Sequence, residues 1–212
     1  MIMRILGGAA ALGLLVGFSH GAITVEPGTT SKKLVAQTPV SREEQRQSAR
    51  RLLTQGAQQY RVGRFQEALQ SFETALALFR EVGDRAGEGS SLNNIGFVYS
   101  NQGQYAQALD YFQQSLAIRR EVGDRRGEGI SLNNIGLIYS NQGQYAQALD
   151  YYQQALVIDR EVGDRAGEGS SLNNIGLIYS NQGQYAEALD YYQQALAIDR
   201  EVGDRRGEGI SR

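Results

Sequence analysis

The sequence contains no cysteine and a single histidine, His20, and these two absences exclude several kinds of chemistry. Without cysteine the chain can form neither a disulfide bond nor a reactive thiolate. Paired Ser/His and Cys/His nucleophiles need a histidine, and histidine and cysteine are the commonest zinc ligands. The composition therefore argues against nucleophilic and zinc-dependent catalysis, whereas carboxylate catalysis and a calcium site stay open.

Strong positive charge is also missing. The net charge is −2, and residues 131–170 carry only two basic residues against five acidic ones. Nucleic-acid backbones bind clustered lysine and arginine, so we expect no nucleic-acid partner. The longest apolar run, from Ile5 to Phe18, is 14 residues long. A membrane-spanning helix needs about 20.

The first 22 residues have the three parts of a secretory signal peptide. Arg4 gives a positive start, the apolar run follows it, and small residues surround the end of the run. We expect export to the periplasm or the extracellular space, with cleavage near Gly21 or Ala22. An uncleaved N-terminal membrane anchor is the alternative.

A flexible linker is predicted for residues 23–40, which hold both prolines of the chain together with glycine, serine and threonine. The first helix is predicted to begin directly after the linker. Ser41 is followed three residues later by Glu44, which is the pattern of a capping box. We therefore expect the folded array at residues 41–212.

Repetition is what the chain has in abundance. A 40-residue block occupies residues 91–130, 131–170 and 171–210, with a more diverged copy at 51–90 and the start of a fifth copy at 211. The last two full copies match at 36 of 40 positions. A fixed period of this length is typical of stacked supersecondary units. Because nearly every polar residue has a copy, a unique catalytic site is not expected.

Each block predicts two helices joined by a short turn. In the block at 131–170, the second helix is predicted to begin near Tyr145 and to run to Val162. The small residues Gly136 and Ala148 let the two backbones approach closely. The buried positions of the first helix follow the spacing i, i+3, i+4 and i+7: Leu132, Ile135, Gly136 and Tyr139.

A charged segment joins one block to the next. Gly163 suits a left-handed position after the second helix, and Asp164 suits the N-cap of the following helix. Arg160–Asp164 and Glu161–Arg165 are spaced four residues apart, which predicts ion pairs in a solvated junction. A metal or anion site is less favoured there, because arginines are interleaved with the acids.

These residues resemble the tetratricopeptide repeat signature, in the spacing Leu-x2-Ile-Gly-x2-Tyr followed by Ala148-x3-Tyr152. Arg120, Arg160 and Arg200 replace the family's late proline, and the period is 40 residues. In both respects the chain is similar to the long repeats of kinesin light chains and Pins-type scaffolds. Its LNNIG and GDRxGEG segments resemble arrays found in cyanobacteria and other bacteria. The resemblance implies an all-α solenoid of stacked antiparallel helix pairs with a right-handed superhelix.

The resemblance also implies where a partner binds. In this family the first helices of successive repeats line a concave groove that holds an extended peptide, and the corresponding positions here carry no charge. The second asparagine of each Asn-Asn pair resembles the asparagine ladder of kinesin light chains, whose carboxamides hydrogen-bond a ligand backbone. Alternatively, these asparagines cap turns or bind neighbouring carbonyls. The predicted peptide-binding residues are Asn94, Asn134, Asn174, Asn101, Asn141, Asn181, Phe97, Leu137 and Leu177.

The sequence favours a non-catalytic protein–protein interaction scaffold with a protein or peptide partner, no cofactor and no small-molecule substrate. Two alternatives stay open. One is the truncated regulatory or sensing arm of a larger effector, such as a CHAT-domain protease. The other is a self-stacking structural module, because no polar helix is predicted to cover the apolar side of the last repeat, at Tyr185, Leu189 and Leu196.

Overall fold

The computed structural model describes residues 41–210, and the side chains of residues 41–203. The predicted signal peptide at 1–22, the linker at 23–40 and the start of a fifth repeat at 211 lie outside the described residues. Within residues 41–210, no helix combines the length and the apolar character that a membrane crossing requires.

The described residues form eight α-helices and no strand. Short turns connect them, and each helix packs against its neighbours in the chain. The first helices of repeats also touch each other, α1 with α3 and α5 with α7. The helices are α1 (Arg42–Arg61), α2 (Phe65–Val82), α3 (Arg85–Asn101), α4 (Tyr105–Glu121), α5 (Arg125–Asn141), α6 (Tyr145–Glu161), α7 (Arg165–Asn181) and α8 (Tyr185–Ile210).

Antiparallel pairing within a repeat follows from which residues meet. Gly136 of α5 lies against Tyr152 of α6, and the ring of Tyr139 stacks on that of Tyr151 with centroids 5.4 Å apart. Moving towards the C-terminus of α5 therefore means moving towards the N-terminus of α6. The predicted all-α solenoid of stacked antiparallel helix pairs is confirmed.

The core is shared between repeats rather than enclosed in one. One cluster joins Phe112 of α4 to Ile135 of α5 and Ile158 of α6, and the next joins Tyr152 of α6 to Ile175 of α7. Each helix pair thus buries its second apolar face only against the following pair, which is why the units must stack.

Glycine at position 136 is required by the close approach of the two helices. A Cβ atom added there would lie 2.7 Å from Cε1 of Tyr152. Gly96 meets Phe112 in the same way, at 2.6 Å. The prediction that this small residue lets the backbones approach is confirmed.

The helix boundaries follow the predicted capping signals. Ser41 and Glu44 form the capping box, and Gly163 adopts a left-handed backbone with a φ of 68°. The carboxylate of Asp164 accepts a hydrogen bond from the backbone amide of Gly167 at 3.2 Å, which caps α7.

The prediction that Arg160 pairs with Asp164 and Glu161 with Arg165 is wrong. Arg160 instead donates to Glu168 at 2.9 Å, and Arg165 contacts both Glu168 and Glu201. Helix α6 ends at Glu161 and the chain then turns, so a spacing of four residues across this boundary no longer places two side chains on one face. The junction is still a network of arginines and carboxylates, but its pairs cross the turn and connect neighbouring repeats.

Candidate functional site on the first helices

The predicted apolar residues lie on one side of the first helices. Phe97 and Leu137 are half-buried, and Leu177 is 43% exposed. The asparagines at the helix ends, Asn101 and its two counterparts, are exposed. The amide of Asn101 donates to the hydroxyl of Tyr60 in the preceding repeat. We call the surface formed by Asn94, Phe97, Asn134, Leu137, Asn174 and Leu177 the first-helix face.

The three asparagines of the predicted ladder differ in their surroundings. Asn134 is buried, and its Nδ2 donates to Oδ1 of Asn93 in the preceding repeat at 2.8 Å. Asn94 and Asn174 are half-buried and make no hydrogen bond with any described side chain. Asn134 thus binds a neighbouring carbonyl with part of its carboxamide, while Asn94 and Asn174 keep theirs available. That all three bind a peptide stays a prediction.

A first cavity, of about 280 Å³, lies between α1 and α3. The aromatic rings there are arranged edge to face, with centroids 6.5 Å apart for Tyr60 and Phe97 and 5.6 Å apart for Phe97 and Phe112. Burial raises the pKa of Tyr60. The lining is mostly apolar, and Arg61 and Asn94 contribute a guanidinium and a carboxamide. The lining residues are Ala57, Tyr60, Arg61, Phe72, Asn94 and Phe97.

A second cavity, of about 250 Å³, lies between α5 and α7. It brings together three predicted residues from two repeats, Asn134, Leu137 and Asn174. The C-terminal part of α6 contributes Asp159, and the N-terminal turns of α7 contribute Gly167 and Ser170. Ile130 and Asn133 of α5 complete the lining.

Asp159 is a buried carboxylate in this second cavity. It is only 2% exposed, and its Oδ2 accepts a hydrogen bond from the hydroxyl of Ser171 at 2.8 Å. Burial raises its pKa from 3.8 to about 6. The negative charges of Asp164 and Glu168 act in the same direction, while the Ser171 hydrogen bond and Arg126 act against it.

Asn133 is linked to the same carboxylate through Ser171. Its Nδ2 donates to the hydroxyl oxygen of Ser171 at 2.7 Å. Its Oδ1 is buried and has no donor among the described residues. In the preceding repeat, the corresponding oxygen of Asn93 accepts a hydrogen bond from Asn134. The unpaired oxygen of Asn133 is therefore a difference between the two repeats.

The expectation of an uncharged first-helix face is wrong at two points. Arg61 lines the first cavity and Asp159 lines the second. Asp159 was missed because it belongs to a second helix, and its burial depends on the stacking of the next repeat. One signal was available: the four copies read Phe79, Arg119, Asp159 and Asp199 at this position, a large chemical change in nearly identical blocks.

No group of three or more histidine, cysteine, aspartate or glutamate side chains that could hold a metal ion occurs within the part of the chain that the structure describes. The two cavities present carboxamides, two hydroxyls, one carboxylate, one guanidinium and apolar walls. Such a lining can orient a ligand through hydrogen bonds and bury its apolar parts.

Comparison with known proteins places these features in a family context. The sequence model of the tetratricopeptide repeat matches residues 45–121 and 127–201. No curated protein sequence matches the chain significantly.

Solved structures share the fold at low sequence identity. BtubC (BKLC) from P. vanneervenii has a TM-score of 0.64 and 19% identity, over 73% of this chain and 64% of that one. Aspartyl phosphate phosphatase F from Bacillus subtilis has a TM-score of 0.71 and 19% identity, over 76% of this chain and 42% of that one. MamA has a TM-score of 0.54 and 20% identity, over 74% of this chain and 81% of that one. The chain thus spans less than two thirds of the first two structures, and these likenesses concern the fold alone.

Proposed function

Because the chain belongs to the tetratricopeptide repeat family, we propose that it is a non-catalytic scaffold that binds an extended peptide segment of a protein partner along the first-helix face. The observation that carries this proposal is the convergence of the free carboxamides of Asn94 and Asn174 on two cavities of the same face. A carboxamide offers one acceptor and two donors, so it can pair with a peptide group of any sequence.

The two cavities supply what the carboxamides lack. Hydrogen bonds to a peptide backbone are tolerant of sequence, whereas a cavity accepts only side chains that fit its size and polarity. The first cavity has an aromatic lining suited to an apolar side chain, and the second contains a carboxylate. An extended peptide that spans both would be held by its main chain and selected by two of its side chains.

The test is a selection of random 12-residue peptides displayed on phage against the full chain. Selected peptides are then measured by calorimetry on the Asn94→Ala/Asn174→Ala variant. Each lost hydrogen bond contributes about 1 kcal/mol, so we expect binding to weaken by roughly tenfold or more. Neither side chain bonds the described protein, so folding should be unchanged in far-UV circular dichroism.

A matched control removes two exposed carboxamides, also two repeats apart, from second helices, Gln113→Ala/Gln193→Ala. This variant should bind the selected peptides as the parent does. Equal affinity of both variants and the parent would show that the carboxamides of the first-helix face take no part in binding. The further variant Asn134→Ala is kept separate, because it also leaves Oδ1 of Asn93 without its donor.

Self-association is a second candidate function, favoured by the apolar surface of α8. Tyr185 is 72% exposed and Leu189 is 55% exposed. Their counterparts in α6, Tyr145 and Leu149, pack against the core cluster that α6 shares with α7. A second copy of the chain could place a helix on α8 in the same way. Light scattering across a concentration series tests this candidate, and a constant monomer mass would remove it.

Export is part of the proposal and rests on residues 1–22 of the sequence alone. Expression in a bacterial host, followed by cell fractionation and N-terminal sequencing, tests it. A mature N-terminus near Gly21 or Ala22 in the exported fraction is expected. An intact N-terminus in the membrane fraction would instead support the anchor.

A further inference from the structure

Position 159 has the opposite charge from its counterpart in the preceding repeat. There, the buried guanidinium of Arg119 donates to Asp124 at 2.5 Å and to the hydroxyl of Ser115 at 3.2 Å. The second repeat thus has its own cation at this position. In the third repeat the same place holds the carboxylate of Asp159, and the cavity opens beside it.

Among the described residues, the other acids of this junction form ion pairs with arginine, whereas Asp159 forms none. Glu168 is bound by Arg160 and Arg165, and Asp164 accepts from Nε of Arg126 at 2.6 Å. From the part of the chain that the structure describes, Asp159 receives only the neutral hydroxyl of Ser171. A buried carboxylate without a cation is unfavourable, because burial penalises its charged form.

Two oxygen acceptors of the second cavity are unpaired. Oδ1 of Asp159 has no donor among the described residues, and neither has the buried Oδ1 of Asn133. Ser171 fixes the orientation of the Asn133 carboxamide. Its hydroxyl donates to Asp159, so its oxygen accepts from the amide nitrogen of Asn133. The carbonyl oxygen of Asn133 is left as an acceptor. A group that pairs with both oxygens must therefore be a donor, and the carboxylate favours one with positive charge.

The size and walls of the cavity restrict this donor further. Its volume of about 250 Å³ is below the roughly 300–1,000 Å³ of pockets for drug-sized ligands. Ile130 and Leu137 provide apolar walls. An alkyl chain with a cationic tip fits both features, since lysine and arginine bury their methylene groups against apolar surface while the charged end finds polar partners.

We infer that the second cavity is a subsite for a lysine or arginine side chain of the bound peptide, whose cationic tip donates to the free oxygens of Asp159 and Asn133. The inference rests on the proposed function, since the side chain must be presented by a peptide on the first-helix face. The peptide would supply in trans the positive charge that Arg119 supplies within the second repeat.

The experiment repeats the selection of random 12-residue peptides on the full chain and on the variants Asp159→Asn and Asp199→Asn. Asp199 is the exposed counterpart of Asp159 in the next repeat, so its variant is the matched control. Peptides selected by the parent and by Asp199→Asn should share a basic residue at one position, and those selected by Asp159→Asn should not. Replacing that lysine by acetyl-lysine should weaken binding to the parent by about tenfold or more and to Asp159→Asn by less than about twofold.

The outcomes separate this inference from the proposed function. Selected peptides without a basic position, or with one that Asp159→Asn retains, overturn the subsite and leave the peptide-binding scaffold standing. A failure to select any peptide overturns both. Nuclear magnetic resonance with butylammonium distinguishes a free amine from a peptide side chain as the occupant. Asp159-dependent saturation by butylammonium, together with peptides that lack a basic residue, would assign the cavity to a small amine and overturn the inference.

Discussion

Replacing Asp159 by asparagine should stabilise the free protein at neutral pH and leave its stability nearly unchanged in acid. Asparagine has the shape of aspartate, and its carbonyl oxygen can accept the hydrogen bond of Ser171. The substitution therefore removes a buried charge without opening a cavity or leaving the hydroxyl unpaired.

The magnitude follows from the pKa of Asp159, which burial raises from 3.8 to about 6. The folded state binds this proton more tightly than the unfolded state, so ionisation of Asp159 opposes folding. The loss is absent below about pH 4, grows as the pH rises to 6 and is complete above it. One pKa unit corresponds to about 1.4 kcal/mol, so a shift of about two units gives roughly 3 kcal/mol at pH 8.

The two neighbouring acids act in the same direction as burial. Asp164 and Glu168 disfavour the ionised form of Asp159, whereas the positive charge of Arg126 favours it. All three remain in the Asp159→Asn variant, so the measured difference reports the charge at position 159. Urea unfolding followed by far-UV circular dichroism at pH 4, 6 and 8 gives the stability of the parent, of Asp159→Asn and of the exposed control Asp199→Asn. A variant that is less stable than the parent at pH 8, or equally stabilised at pH 4 and pH 8, would refute the reasoning.

Two further substitutions test the packing and the charges of the array. Gly136→Ala places a Cβ 2.7 Å from the ring of Tyr152 and should cost about 1–3 kcal/mol in urea unfolding; unchanged stability would contradict the close approach of α5 and α6. Arg126→Ala removes the partner of Asp164 and the cation that favours ionisation of Asp159. It should therefore raise the pKa of Asp159 further and destabilise the protein more at pH 8 than at pH 4, and a loss independent of pH would contradict this.

Local and periodic signals predicted the scaffold well. The capping box at Ser41 and Glu44, the left-handed Gly163 and the close-packed Gly136 all follow from residues near in sequence or from the i, i+3, i+4 spacing of one helix. Such features depend on the backbone of one or two helices, so nearly identical copies repeat them. The family of the chain could be identified from them for the same reason.

Contacts between repeats could not be predicted in this way. The hydrogen bond between Asn134 and Asn93 joins residues 41 positions apart, and the ion pair between Arg165 and Glu201 joins residues 36 positions apart. Both depend on how one helix pair is placed on the next. The three ladder asparagines have nearly the same neighbours in sequence. Their environments differ because each packs against different residues of the adjacent repeats.

The most informative positions of this chain are therefore buried ones at which the copies differ. The N-cap aspartates show why. Each forms an ion pair with an arginine, but the position of that arginine in the repeat differs. Asp84 pairs with Arg46, and Asp124 pairs with Arg119.

In the third repeat the N-cap Asp164 takes its arginine from position 126, whose counterparts in the first and third repeats are Ala86 and Ala166. Because Arg126 supplies this charge, position 159 no longer has to, and a residue of opposite charge can stand there. The array keeps its capped junction and gains, in the second cavity, one carboxylate that forms no ion pair with a described residue. A charge that packing alone would disfavour, placed where a peptide would lie, is better explained by a cationic ligand than by the stability of the fold.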